Sequence, residues 1–148
     1  MRTVLAMPVQ DGTYRITSGF GRRGNADHRG IDFASIVPGR DYSGADVYAM
    51  EDGVVVEGSE RQNVGGFGGW AWVRHTINGQ VVDTIYGHMY QRDILVKKGD
   101  RVTRGQKIGK VGNNGDSSGA HLHAEVWLGG NAPRVTGVAV DPKPYLGL

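Results

Sequence analysis

The chain contains no cysteine. It can form no disulfide and offers no thiolate, so any metal it holds must be taken by His, Asp or Glu. Long apolar runs are also missing: none approaches the roughly 20 residues that a membrane span needs. Helical periodicity is nearly absent. There is no H-E-x-x-H, which excludes a helix-borne zinc protease with a glutamate base. The charge is modest too, with a net +2, a pI near 9.0 and both signs mixed along the chain. That is too mild a balance to indicate nucleic acid, although it suits work beside an anionic polymer. The opening Met1-Arg2-Thr3-Val4-Leu5-Ala6-Met7-Pro8 is too short for a secretory signal, so this chain is not expected to carry its own export address.

What is abundant is glycine, 25 of 148 residues, where about 7% is usual. The glycines fall singly and in pairs between short apolar stretches, without a collagen-like period. That pattern reads as many tight turns between short strands. The expected architecture is all-β, in one domain spanning residues 1–148.

Trp70–Ile77 and Gln80–His88 form the clearest hairpin, joined by Asn78-Gly79, the preferred type I′ pair. A two-residue loop sets the register: Ile77 faces Gln80, His75 faces Val82, Arg74 faces Asp83 and Trp72 faces Ile85. His88 then lies six residues beyond the partner of His75, about 20 Å along the ribbon. The two histidines cannot share a site, and His75, near the turn, is assigned to the surface.

Elsewhere the organisation is coarser. Thr17–Asn25 is a Gly- and Arg-rich stretch without G-x-x-x-x-G-K-[ST] and without a following helix, hence a loop bordering a site and not a nucleotide loop. Residues 35–45 form a second loop. Val47–Met50 and Gly53–Val56 read as two short strands across the Glu51-Asp52-Gly53 turn. Asn63–Gly69 suits either a mobile lip or a plain long loop, Asp93–Val111 a meander of short strands, and the segment after Gly129 a surface wrap.

Two stretches carry ligand-type side chains. His121 and His123 alternate as strand residues do and share a face. An isolated H-x-H fits a metal centre, a metal ligand beside a proton carrier, or a pair of surface histidines. His28 and Asp32, four apart with Gly30 between them, could grip one ion from a bulged strand or be an unrelated surface His and turn Asp. With His75 set aside, His28, Asp32, His88, His121 and His123 remain. A catalytic zinc takes three protein ligands and keeps a position for water, whose pKa it lowers to near 7. Unligated imidazoles beside it can move protons.

H-x-x-x-D (His28, Asp32), Y-G-H-M (Tyr86–Met89) and G-x-H-L-H-x-E-V (Gly119–Val126) occur in that order, with V-K-K-G-D-R-V-T-R-G-Q-K-I-G-K-V-G-N-N-G between the last two. The chain from Ile16 to Val126 resembles the lysostaphin/LytM-type zinc endopeptidases of peptidoglycan. The resemblance implies an antiparallel β-sheet core of the duplicated-hybrid-motif barrel or sandwich type, with long loops walling a groove. It implies that His28, Asp32 and His123 bind Zn2+, and that His88 and His121 are the catalytic pair. Tyr86, Asn113 and Ser118, within and beside these motifs, are the expected substrate contacts.

The implied partner is bacterial peptidoglycan, met at the cell wall by a secreted or phage-released monomer, with neither nucleic acid nor membrane insertion involved. A D-alanyl cross-link is favoured over a glycine bridge as the scissile site. Two departures stand out. The link at residues 35–46 is longer than usual, and Ala124 replaces a frequent Phe. A non-catalytic wall-binding or hydrolase-activating module is the alternative. A carrier or sugar-transport barrel, suggested by V-x-x-G-x-x-V-x-x-G-Q-x-I-G, gives His28 and Asp32 no purpose.

Overall fold

A computed structural model describes residues 3–23, 26–129 and 137–148. The chain begins with β1 (Tyr14–Ser18), a short β2 (Gly21–Arg23) and β3 (Ala26–His28) pair, and β4 (Ile31–Ser35). After the 36–45 loop come β5 (Asp46–Tyr48) and β6 (Gly53–Glu57). The long hairpin follows, as β7 (Gly69–Ile77) and β8 (Gln80–Met89). The last strands are β9 (Arg101–Val102), β10 (Lys107–Lys110), β11 (Leu122–Leu128) and β12 (Val138–Val140), before one helical turn, α1 (Lys143–Leu146).

The main antiparallel sheet runs β1-β4-β11-β8-β7-β6-β9. β8 follows one edge of β11, from His123 to Leu128, while β4 and then β12 share its other edge. The expected all-β architecture is what the chain adopts. The hairpin register is also as read from sequence, with Trp72 opposite Ile85, Arg74 opposite Asp83, His75 opposite Val82 and Ile77 opposite Gln80. Asn78 and Gly79 both have positive φ, as a type I′ turn requires. Arg74 donates to both carboxylate oxygens of Asp83 at 2.8 Å.

The remaining strands depart from a simple meander. β5 pairs with β10 in a separate two-stranded sheet, and β9 pairs with β6. The strands on either side of Glu51-Asp52-Gly53 thus enter different sheets, as do those within 93–111. The tail contributes β12 to the main sheet and buries Leu146.

Alternation sorts the two faces. Leu122, Ala124 and Val126 of β11, Ala71 and Val73 of β7, and Val82 and Tyr86 of β8 enter the main core. Trp127, Trp70, Trp72 and Ile85 form a second apolar cluster. Ala124, the departure from Phe, is buried in the main core, on the side opposite His123. His75 belongs to the core face with Ala71 and Val73 and is 1% exposed, so its assignment to the surface is overturned. Distance from the body of the fold misled there. β6 runs beside β7, and the Asp52 carbonyl covers the imidazole, accepting from Nδ1 at 2.8 Å. Nε2 meets the Thr84 hydroxyl at 2.8 Å, and Thr84 meets the Tyr86 hydroxyl at 2.9 Å.

Burial holds the His75 pKa below its ordinary value, against the upward pull of its hydrogen bond to Asp52. The folded chain therefore resists a proton that the unfolded chain accepts near pH 6.5. The stabilisation from neutral His75 is full above that value and is lost as the pH falls toward the lower folded pKa. His75→Gln is expected to lose about 1–2 kcal/mol of stability at pH 7.5. Its deficit should narrow by pH 5 in urea titrations; a constant deficit would show that His75 titrates alike in both states.

Candidate active site

β3 and β4 bring His28 and Asp32 together, with His28 Nε2 3.3 Å from Asp32 Oδ2. β4 lies beside β11 with Asp32 directly opposite His123, whose Nδ1 is 2.8 Å from Asp32 Oδ1. One ligand atom from each of His28, Asp32 and His123 lies within 4.8 Å of the others, a set that could hold a metal ion. His121, just before β11, places Nε2 3.7 Å from Asp32 Oδ1. The His88 ring stands 4.6 Å from that of His121 and 5.9 Å from that of His123. All five predicted ligand and catalytic residues therefore converge.

The ring nitrogens pointing away from the centre are tied. His28 Nδ1 donates to the Gly19 carbonyl, His88 Nδ1 to the Asn114 carbonyl and His121 Nδ1 to the Gly119 carbonyl, each at 2.7 Å. In each ring the proton on Nδ1 leaves the Nε2 lone pair directed into the site. His123 is arranged the other way round. Its Nε2 donates to Glu125 at 2.7 Å, and its Nδ1 faces Asp32. Glu125 is 3% exposed and is itself held by Trp127 Nε1 at 2.7 Å. The sequence reading did not assign Glu125, although its position two residues after His123 puts it on the same strand face.

The electrostatics match a cation site. Burial alone would lower the His123 pKa, but the hydrogen bonds to Asp32 and Glu125 push it up to about 9. Burial alone would raise the Asp32 carboxyl, yet the His123 hydrogen bond and the neighbouring imidazoles hold it below its usual value. The proton on His123 Nδ1 occupies the place where a divalent ion would find a lone pair. Burial lowers the His88 pKa and His121 and His123 reinforce this, so His88 is neutral at pH 7.

His88 reaches the site through a break in the strand. Tyr86 faces the core, and simple alternation would send His88 the same way. Instead Gly87 and His88 together oppose Trp70, because the pairing jumps from Ala71–Tyr86 to Gly69–Met89. His88 takes φ 67°, in the left-handed region, and its ring turns to the other face. Gly87 is required beside it. A Cβ there would lie 2.8 Å from Phe67 Cδ1, and the Phe67 ring packs 5.7 Å from that of His123. The 63–69 segment thus carries a 3₁₀ turn (Gly65–Phe67) lodged against the site.

A groove of about 720 Å³ opens from Asp32 and His121. Asn113 and Ser118 line it, and the 36–45 loop forms another wall. Tyr86 does not. It is fully buried, its hydroxyl accepts from the Met50 N–H at 2.9 Å, and burial pushes its pKa up to about 12. Tyr86 precedes the bulge and keeps the regular alternation that places it in the core.

A family model described as Peptidase family M23 matches residues 26–142. The chain belongs to peptidase family M23. Among relatives, the peptidoglycan DD-endopeptidase ShyA of Vibrio cholerae is 38% identical over 127 residues, covering 81% of this chain and 26% of that protein. A zinc containing peptidase from Vibrio cholerae matches with a TM-score of 0.69 at 34% identity, covering 93% of this chain and 39% of that one. The catalytic domain of lysostaphin from Staphylococcus simulans gives a TM-score of 0.70 at 30% identity, covering 91% of this chain and 93% of that domain. The chain spans between a quarter and a third of the length of the first curated relatives it matches.

The left-handed backbone at His88 yields a test. A β-branched residue fits that region poorly, whereas Asn tolerates it. His88→Val is expected to be less stable than His88→Asn by about 1–2 kcal/mol in denaturant titrations. Equal midpoints at equal slope would show that the bulge stores no strain.

Proposed function

We propose that this chain is a single catalytic domain of a zinc-dependent endopeptidase that hydrolyses peptide bonds of bacterial peptidoglycan, with the D-alanyl cross-link favoured over a glycine bridge. The observation that carries this reading is the convergence of directed imidazole lone pairs and one carboxylate at the head of an open groove. Membership of family M23 supports it, as do two of its relatives, a peptidoglycan DD-endopeptidase and a zinc containing peptidase.

His28 Nε2, an Asp32 oxygen and His123 Nδ1 would hold the ion. The donor set fits zinc: two imidazoles and a carboxylate, no thiolate, with a buried carboxylate behind one histidine. When bound, zinc would polarise the scissile carbonyl and acidify a water molecule. His88, neutral and fixed through Nδ1, offers Nε2 to accept a proton from the attacking water. His121 presents Nε2 to the same space and, once protonated, donates to the developing oxyanion or to the departing amine. Glu125 keeps the His123 ring oriented and its Nε2 protonated, which makes it a positioning residue. Asn113 and Ser118 contact the substrate along the groove wall.

Three variants separate these roles. His123→Ala is expected to lose stoichiometric zinc, while His121→Ala keeps the metal and loses release of new amino groups from cell walls. If both variants lysed walls like the parent, the assignment would be wrong. Cell-wall binding without new amino groups from the parent would indicate a non-catalytic module instead. Glu125→Gln should fold normally and bind zinc roughly 10–100-fold more weakly in a chelator competition; unchanged affinity would remove Glu125 from the design.

A further inference from the structure

The groove contains two arginines that the ion and proton carriers do not use. Arg15 lies opposite Ala34 in the β1–β4 pair, and Asp32 is two residues before Ala34 on the same face. One step along a strand pair and one across it place the Arg15 backbone about 8 Å from that of Asp32. The Arg15 side chain lines the same groove as Asp32 while its Nη1 rests on the Ser35 carbonyl, so the guanidinium stands beyond Asp32 along the groove, where it can meet the residue flanking an amide held there. Arg40 comes from the 36–45 loop and lines the same groove.

Their donors are available. Arg15 donates through Nη1 to the Ser35 carbonyl and has no other partner among the described residues. The exposed Arg40 guanidinium has none among them. The neighbouring carboxylate, Asp41, is engaged, accepting from the Ser43 N–H and hydroxyl at 2.9 Å each. These bonds to Ser43 hold its pKa below the usual carboxylate value, so it is no proton source for a ligand. Away from Asp32, which faces the imidazoles, the groove therefore offers two forked cations against one carboxylate, Asp41, that is already hydrogen-bonded.

We propose that Arg15 and Arg40 form an anion subsite for a free carboxylate on the residue flanking the scissile bond, a proposal that rests on the endopeptidase reading above. A guanidinium pairs bidentately with a carboxylate, and an amide or a hydrogen in its place leaves the fork unmatched. The chemical class selected is a D-alanyl link to a diamino acid whose free carboxylate sits on the carbon next to the scissile nitrogen. A glycine bridge presents no such charge, and amidation of the carboxylate removes it.

The test uses the zinc-loaded chain and three defined dimers: one with the free carboxylate, the same dimer amidated there, and one joined by a glycine bridge. Calorimetric binding of the cleaved acceptor peptide, free and amidated, gives a second readout. The parent should cut the free-carboxylate dimer with a kcat/KM about tenfold or more above that of the amidated one. Arg40→Gln and Arg15→Gln should bring this ratio toward one, chiefly through KM, and abolish the difference in peptide binding. Equal rates and equal binding in the parent, or an unchanged ratio in the variants, would overturn the subsite while leaving the endopeptidase standing. Failure of the parent to cut any dimer would sink both. If Arg15→Gln does not fold, Arg40→Gln, on the exposed loop, decides alone.

Discussion

Each imidazole around Asp32 is held by the nitrogen that does not face the centre. Three backbone carbonyls and one buried carboxylate take those protons, so His28, His88 and His121 direct lone pairs inward, while His123 turns its Nδ1 to Asp32. An imidazole left free would rotate or exchange tautomers, and a ligand set drawn from separate segments would lose its geometry. Fixing the outer shell is thus the constraint on which the centre depends. It explains why loops as different as the one at Gly19 and the turn at 112–119 both press their carbonyls toward the same point.

The sheet supplies the other half of the arrangement. β11 sits between β4 and β8, so His123 stands beside Asp32 on one edge and Gly87, at the end of the long hairpin, on the other. A regular hairpin would still have failed, because the alternation that buries Tyr86 would also have buried His88. The bulge at Gly87–His88 resolves this at the cost of a left-handed backbone. Strain of that kind is common where a side chain must be aimed. The Trp70, Trp72 and Trp127 cluster, with Phe67 leaning on it, gives the bulge a rigid backing.

Beyond the centre, the long 36–45 link forms one wall of the groove and carries Arg40 into it. With Arg15 on the adjoining strand, this wall is positive where the ion and proton carriers leave off. The division of labour is physical: the rigid strands set distances of a few tenths of an ångström for chemistry, and the loop sets the charge that a substrate meets first.

Several features were legible in the chain because they are local or chemical. The glycine spacing indicated short strands and turns, Asn78-Gly79 fixed one register residue by residue, and the absence of thiols left His and Asp as the available ligands. The ordered motifs named His28, Asp32, His88, His121 and His123, and the fold brings all five together. The partners of β5, β9 and β10 were not legible, since strand pairing across distant sequence depends on which hydrophobic faces meet and not on any local period. Burial of His75 belongs to the same class, decided by β6 and the Asp52 turn closing over the ribbon, and so does that of Tyr86, whose hydroxyl meets the Met50 N–H. The handedness at His88, the clasp of Glu125 on His123, and the placing of Arg15 and Arg40 on one groove were likewise settled only by tertiary structure, because each depends on separations that a sequence does not encode.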